Sequence, residues 1–205
     1  MRVLILCGGQ GTRLAPVLGG VPKVLAPING KPFLDYQLEA LQQAGFVDIV
    51  LCTGVGHDQI AAHVRSRWGT NIQCSREPYP LGTAGALRYA RGWVQDTVLV
   101  VNGDTVVIVD YHALITWHRL WRSVLTVAVQ ERAGGNGQAV LTRQPAGFGY
   151  PLQSGQIVRV INEDPRDHDV YGHPLLVIAG VYVLDPHILQ VIPDGEICSL
   201  DRDVL

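Results

Sequence analysis

A run of small residues followed by fixed cations is the first part of this chain that could do chemistry. Cys7-Gly8-Gly9-Gln10-Gly11-Thr12-Arg13-Leu14 ends an apolar run that begins at Val3. A strand that stops at several glycines exposes successive backbone N–H groups with no Cβ in the way. Such a loop can wrap an anionic phosphate chain. Thr12 adds a hydroxyl and Arg13 a planar cationic fork. Further on, Pro22-Lys23 puts a point cation behind a rigid turn. The pattern lacks the Gly-Lys-Ser/Thr of a Walker loop and the G-x-G-x-x-G of a dinucleotide fold. A plain strand-to-helix turn with solvated Arg13 and Lys23 is the competing reading.

A carboxylate stands in a comparable place further along. The apolar run at residues 97–101 leads into Asn102-Gly103-Asp104-Thr105. Open α/β sheets bind ligands just beyond the carboxyl ends of their strands. If this strand neighbours the first, Asp104 faces the glycine loop across one crevice. Its hard oxygens suit Mg²⁺ beside phosphates. A turn-forming Asn-Gly-Asp is the alternative.

The elements that must position these residues follow from periodicity. Short β-branched runs occur at 3–7, 49–52, 97–101, 124–129, 157–161 and 176–184. The first few are continuous rather than alternating, as in strands buried on both faces. Helical patterns lie between them. Phe33, Leu34, Leu38 and Leu41 form one stripe, closed by Gly45 as a C′ residue. Others run through Ile60, Ala61 and Val64, and through Ala86, Leu87 and Ala90. The last follows Asp110, an N-cap, with Leu114, Trp117 and Trp121 read as core. The alternation predicts a Rossmann-like three-layer α/β sandwich on a mostly parallel central sheet. Glycines after Gln130 predict a small antiparallel excursion in the C-terminal half.

Composition sets the outer bounds. The 205 residues are 47% hydrophobic, enough for a core and against wholesale disorder. Sixteen basic and eighteen acidic residues leave a net charge of −2, which gives no nucleic-acid footprint and no polybasic membrane patch. Only Lys23 and Lys31 are lysines. The four cysteines form no C-x-x-C pair, and the expected compartment is the reducing cytoplasm. The N-terminal apolar run is too short for a signal peptide, and no run is long enough to span a bilayer. The seven scattered histidines pair with no nucleophile. A homo-oligomer is left open.

Gly8-Gly9-Gln10-Gly11-Thr12-Arg13-Leu14 with Pro22-Lys23 resembles the signature of the sugar-1-phosphate nucleotidyltransferases. The stretch from Leu25 to Tyr36 is similar to the same family, closest to its D-glycero-D-manno-heptose 1-phosphate guanylyltransferase branch. The resemblance implies an enzyme that condenses an NTP with a sugar 1-phosphate to an NDP-sugar and pyrophosphate. It implies catalytic roles for Arg13, Lys23 and Asp104, with Asp104 holding Mg²⁺. It implies a nucleotide site of Cys7, Gly8, Gly9, Gln10, Gly11, Thr12, Arg13, Glu77, Gly82 and Thr83. Glu77-Pro78-Tyr79-Pro80-Leu81-Gly82-Thr83-Ala84-Gly85-Ala86 looks like the base-reading segment. An acceptor-only Glu77 favours guanine, whose pairing edge offers two adjacent donors. The sugar side would use Asn102, Gly149, Glu163 and Gly180. The family's Glu-Lys-Pro reads Asn162-Glu163-Asp164-Pro165 here, without the Lys.

The resemblance also implies one domain over residues 1–205, with a nucleotide half at 1–130 and a sugar half at 131–205. The chain stops at Ser199-Leu200-Asp201-Arg202-Asp203-Val204-Leu205, where the family's second metal carboxylate has not yet appeared. The expectation is therefore a domain lacking its C-terminal end, with an unfilled sheet edge or apolar patch beside Val101 and Val181. A UTP- or CTP-using relative, and a non-catalytic sugar-nucleotide sensor, are the rival readings.

Overall fold

The computed structural model describes residues 1–9, 11–12, 14–131, 139–143, 156–161 and 175–205. Four parallel strands form one half of its main sheet: β1 (Val3–Leu6), β4 (Ile49–Thr53), β5 (Ile72–Arg76) and β6 (Val98–Asn102). Their spatial order is β5-β4-β1-β6. The antiparallel half starts at β10 (Leu175–Leu184), which pairs with β6 and also with β7 (Leu125–Glu131) and β8 (Ala139–Arg143). β9 (Gln156–Ile161) closes the far edge against β8.

Period-two alternation sorts the strand side chains into two cores. The short helix α1 (Ala15–Leu18) follows the glycine loop, and Val3 and Ile5 face α2 (Phe33–Gln43), α3 (His57–Trp68) and α5 (Tyr111–Trp121), burying Leu34, Leu38, Ile60 and Ile115 between them. Leu4, Val50 and Val100 face the other way, onto α4 (Gly82–Tyr89) and the C-terminal turns, with Leu87, Tyr182 and Leu200. These two layers around one sheet are the expected three-layer sandwich. Leu34 is fully buried, so Leu34→Ala would cost about 2–5 kcal/mol.

The predicted helix punctuation is present. Asp110 Oδ1 accepts from the Ala113 N–H at 2.9 Å as the N-cap of α5. At the end of α2, Gly45 takes φ +86°, and Phe46 N donates back to Leu41 O. Two elements were not foreseen. Strand β5 carries Gln73, Ser75 and Arg76 at a sheet edge, so its apolar signal is weak. The hairpin of β2 (Pro27–Ile28) and β3 (Lys31–Pro32) turns on Asn29 and Gly30, both at positive φ, the geometry an Asn-Gly turn supplies.

One expectation is corrected. The Trp117 and Trp121 rings lie with centroids 5.3 Å apart, but Trp121 is 55% exposed and is not a core residue. Val101 and Val181 pair across β6 and β10 and are 3% and 2% exposed. The exposed apolar side chain on the wall they share is Val106.

The parallel strands carry the site. Because β1, β4, β5 and β6 run the same way, the loops that leave them share one edge. No helix among the described residues is long and apolar enough to cross a membrane.

Candidate active site

Pairing of β1 with β6 brings the glycine loop and the Asp104 turn together. Gly103 sits where they meet: its N–H donates to Leu6 O at 2.9 Å. A Cβ on Gly103 would lie 2.6 Å from that same oxygen, so no larger residue fits. Lys23 reaches across the crevice, with Nζ 2.7 Å from Asp104 Oδ2. Gly11, at φ +57°, packs against the Lys23 stem. Burial would raise the Asp104 pKa, but the hydrogen bond and charge of Lys23 outweigh it and hold the carboxyl below its usual value. The other lysine, Lys31, pairs with Glu39 and lies over the Tyr36 ring, away from this crevice.

The predicted nucleotide residues divide. Gly8 and Gly9 leave β1 toward the crevice, and Thr12 is exposed on the same loop. Cys7 is placed differently. Its side chain is 4% exposed and its sulfur lies under Gly103, so only its main chain borders the loop. Burial pushes its thiol pKa well up, which leaves it unreactive. Gln10 and Arg13 lie outside the described residues.

Glu77 is 7% exposed, yet its carboxylate opens toward the glycine loop. A Cβ on either Gly8 or Gly54 would lie 2.5 Å from Glu77 Oε1. The two glycines are the slot through which the carboxylate rises. Leu81 N donates to Oε2 at 3.3 Å. Burial raises the Glu77 pKa, and the Leu81 bond only partly offsets this. Gly54 was not singled out from sequence. The available signal was a Gly-Val-Gly just after a fully buried strand.

The segment after Glu77 is held from behind by residues 195–200. Tyr79 OH donates to Gly195 O at 2.9 Å, and Cys198 N donates to Leu81 O at 2.8 Å. The first N–H groups of α4 are also taken, with Ala84 and Gly85 donating to Cys198 O at 2.9 and 3.2 Å. Gly82, at φ +76°, is required by the strap itself, since a Cβ there would meet Cys198 O at 2.5 Å. Thr83 Oγ1 accepts from Leu200 N at 2.7 Å.

On the sugar side, Asn102 and Gly180 meet across β6 and β10. A Cβ on Gly180, at φ +71°, would lie 2.8 Å from Asn102 Nδ2. Asn102 Oδ1 is buried with no hydrogen-bond partner among the described residues. Asp201 and Asp203 serve the fold: Tyr182 OH donates to Asp201 at 2.6 Å, and Ser199 N donates to Asp203 at 2.6 Å. Gly149 and Glu163 lie outside the described residues.

A divalent cation fits the donor set at Asp104. Each of its oxygens accepts one hydrogen bond, from Lys23 and Thr105, and keeps lone-pair capacity. No group of three or more His, Cys, Asp or Glu among the described residues could hold a metal alone. A hard cation that takes one protein carboxylate and completes its shell with ligand oxygens matches this arrangement.

Known proteins match the chain in sequence and in fold. A family model described as "Nucleotidyl transferase" matches residues 2–202. The D-glycero-alpha-D-manno-heptose 1-phosphate guanylyltransferase of Aneurinibacillus thermoaerophilus is 32% identical over the whole chain, which spans 84% of that relative. The mannose-1-phosphate guanylyltransferase of Mycobacterium tuberculosis is 30% identical over 98% of the chain, which spans about half (53%) of it. The crystal structure of HddC from Yersinia pseudotuberculosis complexed with GMP-PN superimposes with a TM-score of 0.75 at 28% identity, covering the whole chain and 84% of that structure. Shared length, shared fold and the loop chemistry at one sheet edge agree: the chain belongs to the nucleotidyl transferase family.

Proposed function

We propose that this protein condenses GTP with a sugar 1-phosphate, a heptose or related sugar, to give a GDP-sugar and pyrophosphate. The observation that carries the reading is the 2.7 Å contact of Lys23 with Asp104 beside the glycine loop. It gathers a cation, a carboxylate and the glycine-loop backbone where a triphosphate would lie. A sugar-phosphate oxygen attacks the α-phosphorus in line. The new P–O bond forms as the bond to the β-phosphate oxygen breaks, and pyrophosphate leaves. Such a reaction needs charge neutralisation and positioning, not a side-chain nucleophile. Lys23 and Arg13 balance charge on the triphosphate and leaving group. Asp104 would hold Mg²⁺, which supplies further neutralisation of phosphate charge when bound.

Guanine selection rests on Glu77, whose carboxylate accepts from the two adjacent donors of that base. The named relatives are guanylyltransferases, which supports the same choice. Asn102 Oδ1 is an acceptor for a sugar hydroxyl. In this reading residues 1–130 serve the nucleotide, and 131–205, including Gly149, Gly180 and Glu163, serve the sugar. The four free cysteines suit a cytoplasmic enzyme, where NTPs are found.

The test is pyrophosphate release from a panel of four NTPs and several sugar 1-phosphates. Turnover with GTP above UTP, CTP and ATP is expected. No release with any pair, alongside binding of a GDP-sugar, would instead make the protein a sensor.

A further inference from the structure

Gln37 is a polar residue inside the apolar stripe of α2. It sits between Leu34, Leu38 and Leu41 and is 5% exposed. Its Nε2 lies 2.8 Å from Asn102 O and 2.6 Å from Thr105 O. Those two carbonyls bracket Gly103 and Asp104. Only a donor group satisfies two facing acceptors, so the chemistry fixes the amide orientation. Both N–H bonds of the side chain are then used, one per carbonyl.

Past the turn, Val107 and Val109 pack against the core. Residues 103–110 form no helix or strand, and Val106 and Ile108 project outward at 61% and 104% exposure. Beneath the turn, Gln37, Tyr36, Val101, Thr105, Tyr111 and Val181 line a small cavity of about 30 Å³. Packing is therefore incomplete where position matters. The fixed points of the turn are Gly103 N on Leu6 O, Thr105 N on Asn102 O at 3.4 Å, the Lys23 contact and the two Gln37 bonds. The long Thr105 N bond closes the turn from within, and Gln37 ties both of its ends to the core.

We infer that Gln37 is a positioning residue for Asp104: its amide ties the carbonyls of Asn102 and Thr105 from the core side and sets where the carboxylate stands. The inference rests on the proposed function only in its metal arm. The turn itself is tested without nucleotide or metal.

The experiment compares the wild type with Gln37→Met, which keeps length and loses both donors, and Gln37→Glu, which presents acceptors to the carbonyls. Amide hydrogen exchange is read peptide by peptide. Faster uptake confined to residues 103–110 is expected in both variants, by about tenfold. Lowering pH should partly restore Gln37→Glu, because a protonated carboxyl donates one bond, and should leave Gln37→Met unchanged. In the metal arm, Mn²⁺ binding to the protein–GTP complex is followed by electron paramagnetic resonance, with an expected affinity loss of about tenfold. Unchanged exchange in 103–110 would overturn the inference. Uptake raised across the whole chain in both variants would do so too, since Gln37 would then be a core residue only. Loss of the proposed activity in the wild type would sink the functional reading and leave the exchange result standing.

Discussion

Two loops at the same edge of the sheet are held by different balances of main-chain and side-chain bonds. The base loop after β5 leans on the strap at residues 195–200 through bonds that are mostly main chain to main chain, at 2.8 to 3.2 Å. The Asp104 turn after β6 has main-chain bonds at Gly103 N and Thr105 N, but its anchors beside the carboxylate are side chains, with Gln37 below it and Lys23 across from it. Main-chain anchors survive most substitutions, whereas a turn held by side chains can be released by one. The base loop should thus tolerate change in its supports, and the Asp104 turn should not.

Removing charge from the crevice is the harshest way to sharpen that contrast. Lys23→Ala and Arg13→Ala should each lower kcat about 10²–10³-fold, the usual loss of one charge contact in such a site. Thermal unfolding should barely move, because the Lys23–Asp104 pair is half-exposed and adds little to stability. Wild-type turnover with an unchanged melting curve would remove both from the mechanism.

Next in size is the base. Glu77→Gln places an amide donor where guanine also donates, and the GTP-to-UTP ratio in kcat/KM should fall by roughly 1–3 kcal/mol, about 5- to 150-fold. The same substitution should not destabilise the fold at neutral pH. Burial raises the Glu77 pKa, so its contribution to stability is complete below the unfolded value and lost as pH rises through the folded one. A neutral amide escapes that loss, and melting temperature against pH between 4 and 8 should show the variant gaining on the wild type. An unchanged base ratio would return Glu77 to a buried structural role.

A gentler probe reaches the strap. Thr83→Val removes the acceptor for Leu200 N, leaving one buried donor unmet at about 1–3 kcal/mol of stability. With Cys198 still bonded to Leu81, Ala84 and Gly85, KM for GTP should rise only about threefold and kcat should hold. Thr83→Ser should restore both. A kcat collapse in Thr83→Val, on the scale of Lys23→Ala, would break the contrast between the loops.

The smallest effect is acid sensitivity. Lys23 holds the Asp104 pKa down, so the pair's stabilisation is present above the unfolded pKa of about 3.9 and is lost as pH falls through the folded value. Exposure limits it to under about 1 kcal/mol. Asp104→Asn should lower stability at pH 7 by under about 1 kcal/mol and flatten the acid limb between about pH 5 and 2.5, so that the two proteins converge at the acid end. An identical acid limb in both proteins would mean the pair contributes no stability.

What the sequence determined by itself was local. Glycines after β1, Asp110 ahead of α5 and Gly45 behind α2 act through their own backbone torsions or through bonds three or four residues away. Their positions were therefore legible, as were the strands buried on both faces. Gln37 carried a weak signal, a polar residue on an apolar stripe, but nothing local said which carbonyls it would meet. Only the tertiary structure decided that β1 lies beside β6, bringing Lys23 to Asp104 over 81 residues of chain. The same holds for Glu77 between Gly8 and Gly54, and for Leu200 on Thr83 across 117 residues. Such contacts depend on strand order and register, which the two buried faces settle together, and no short stretch of residues encodes them.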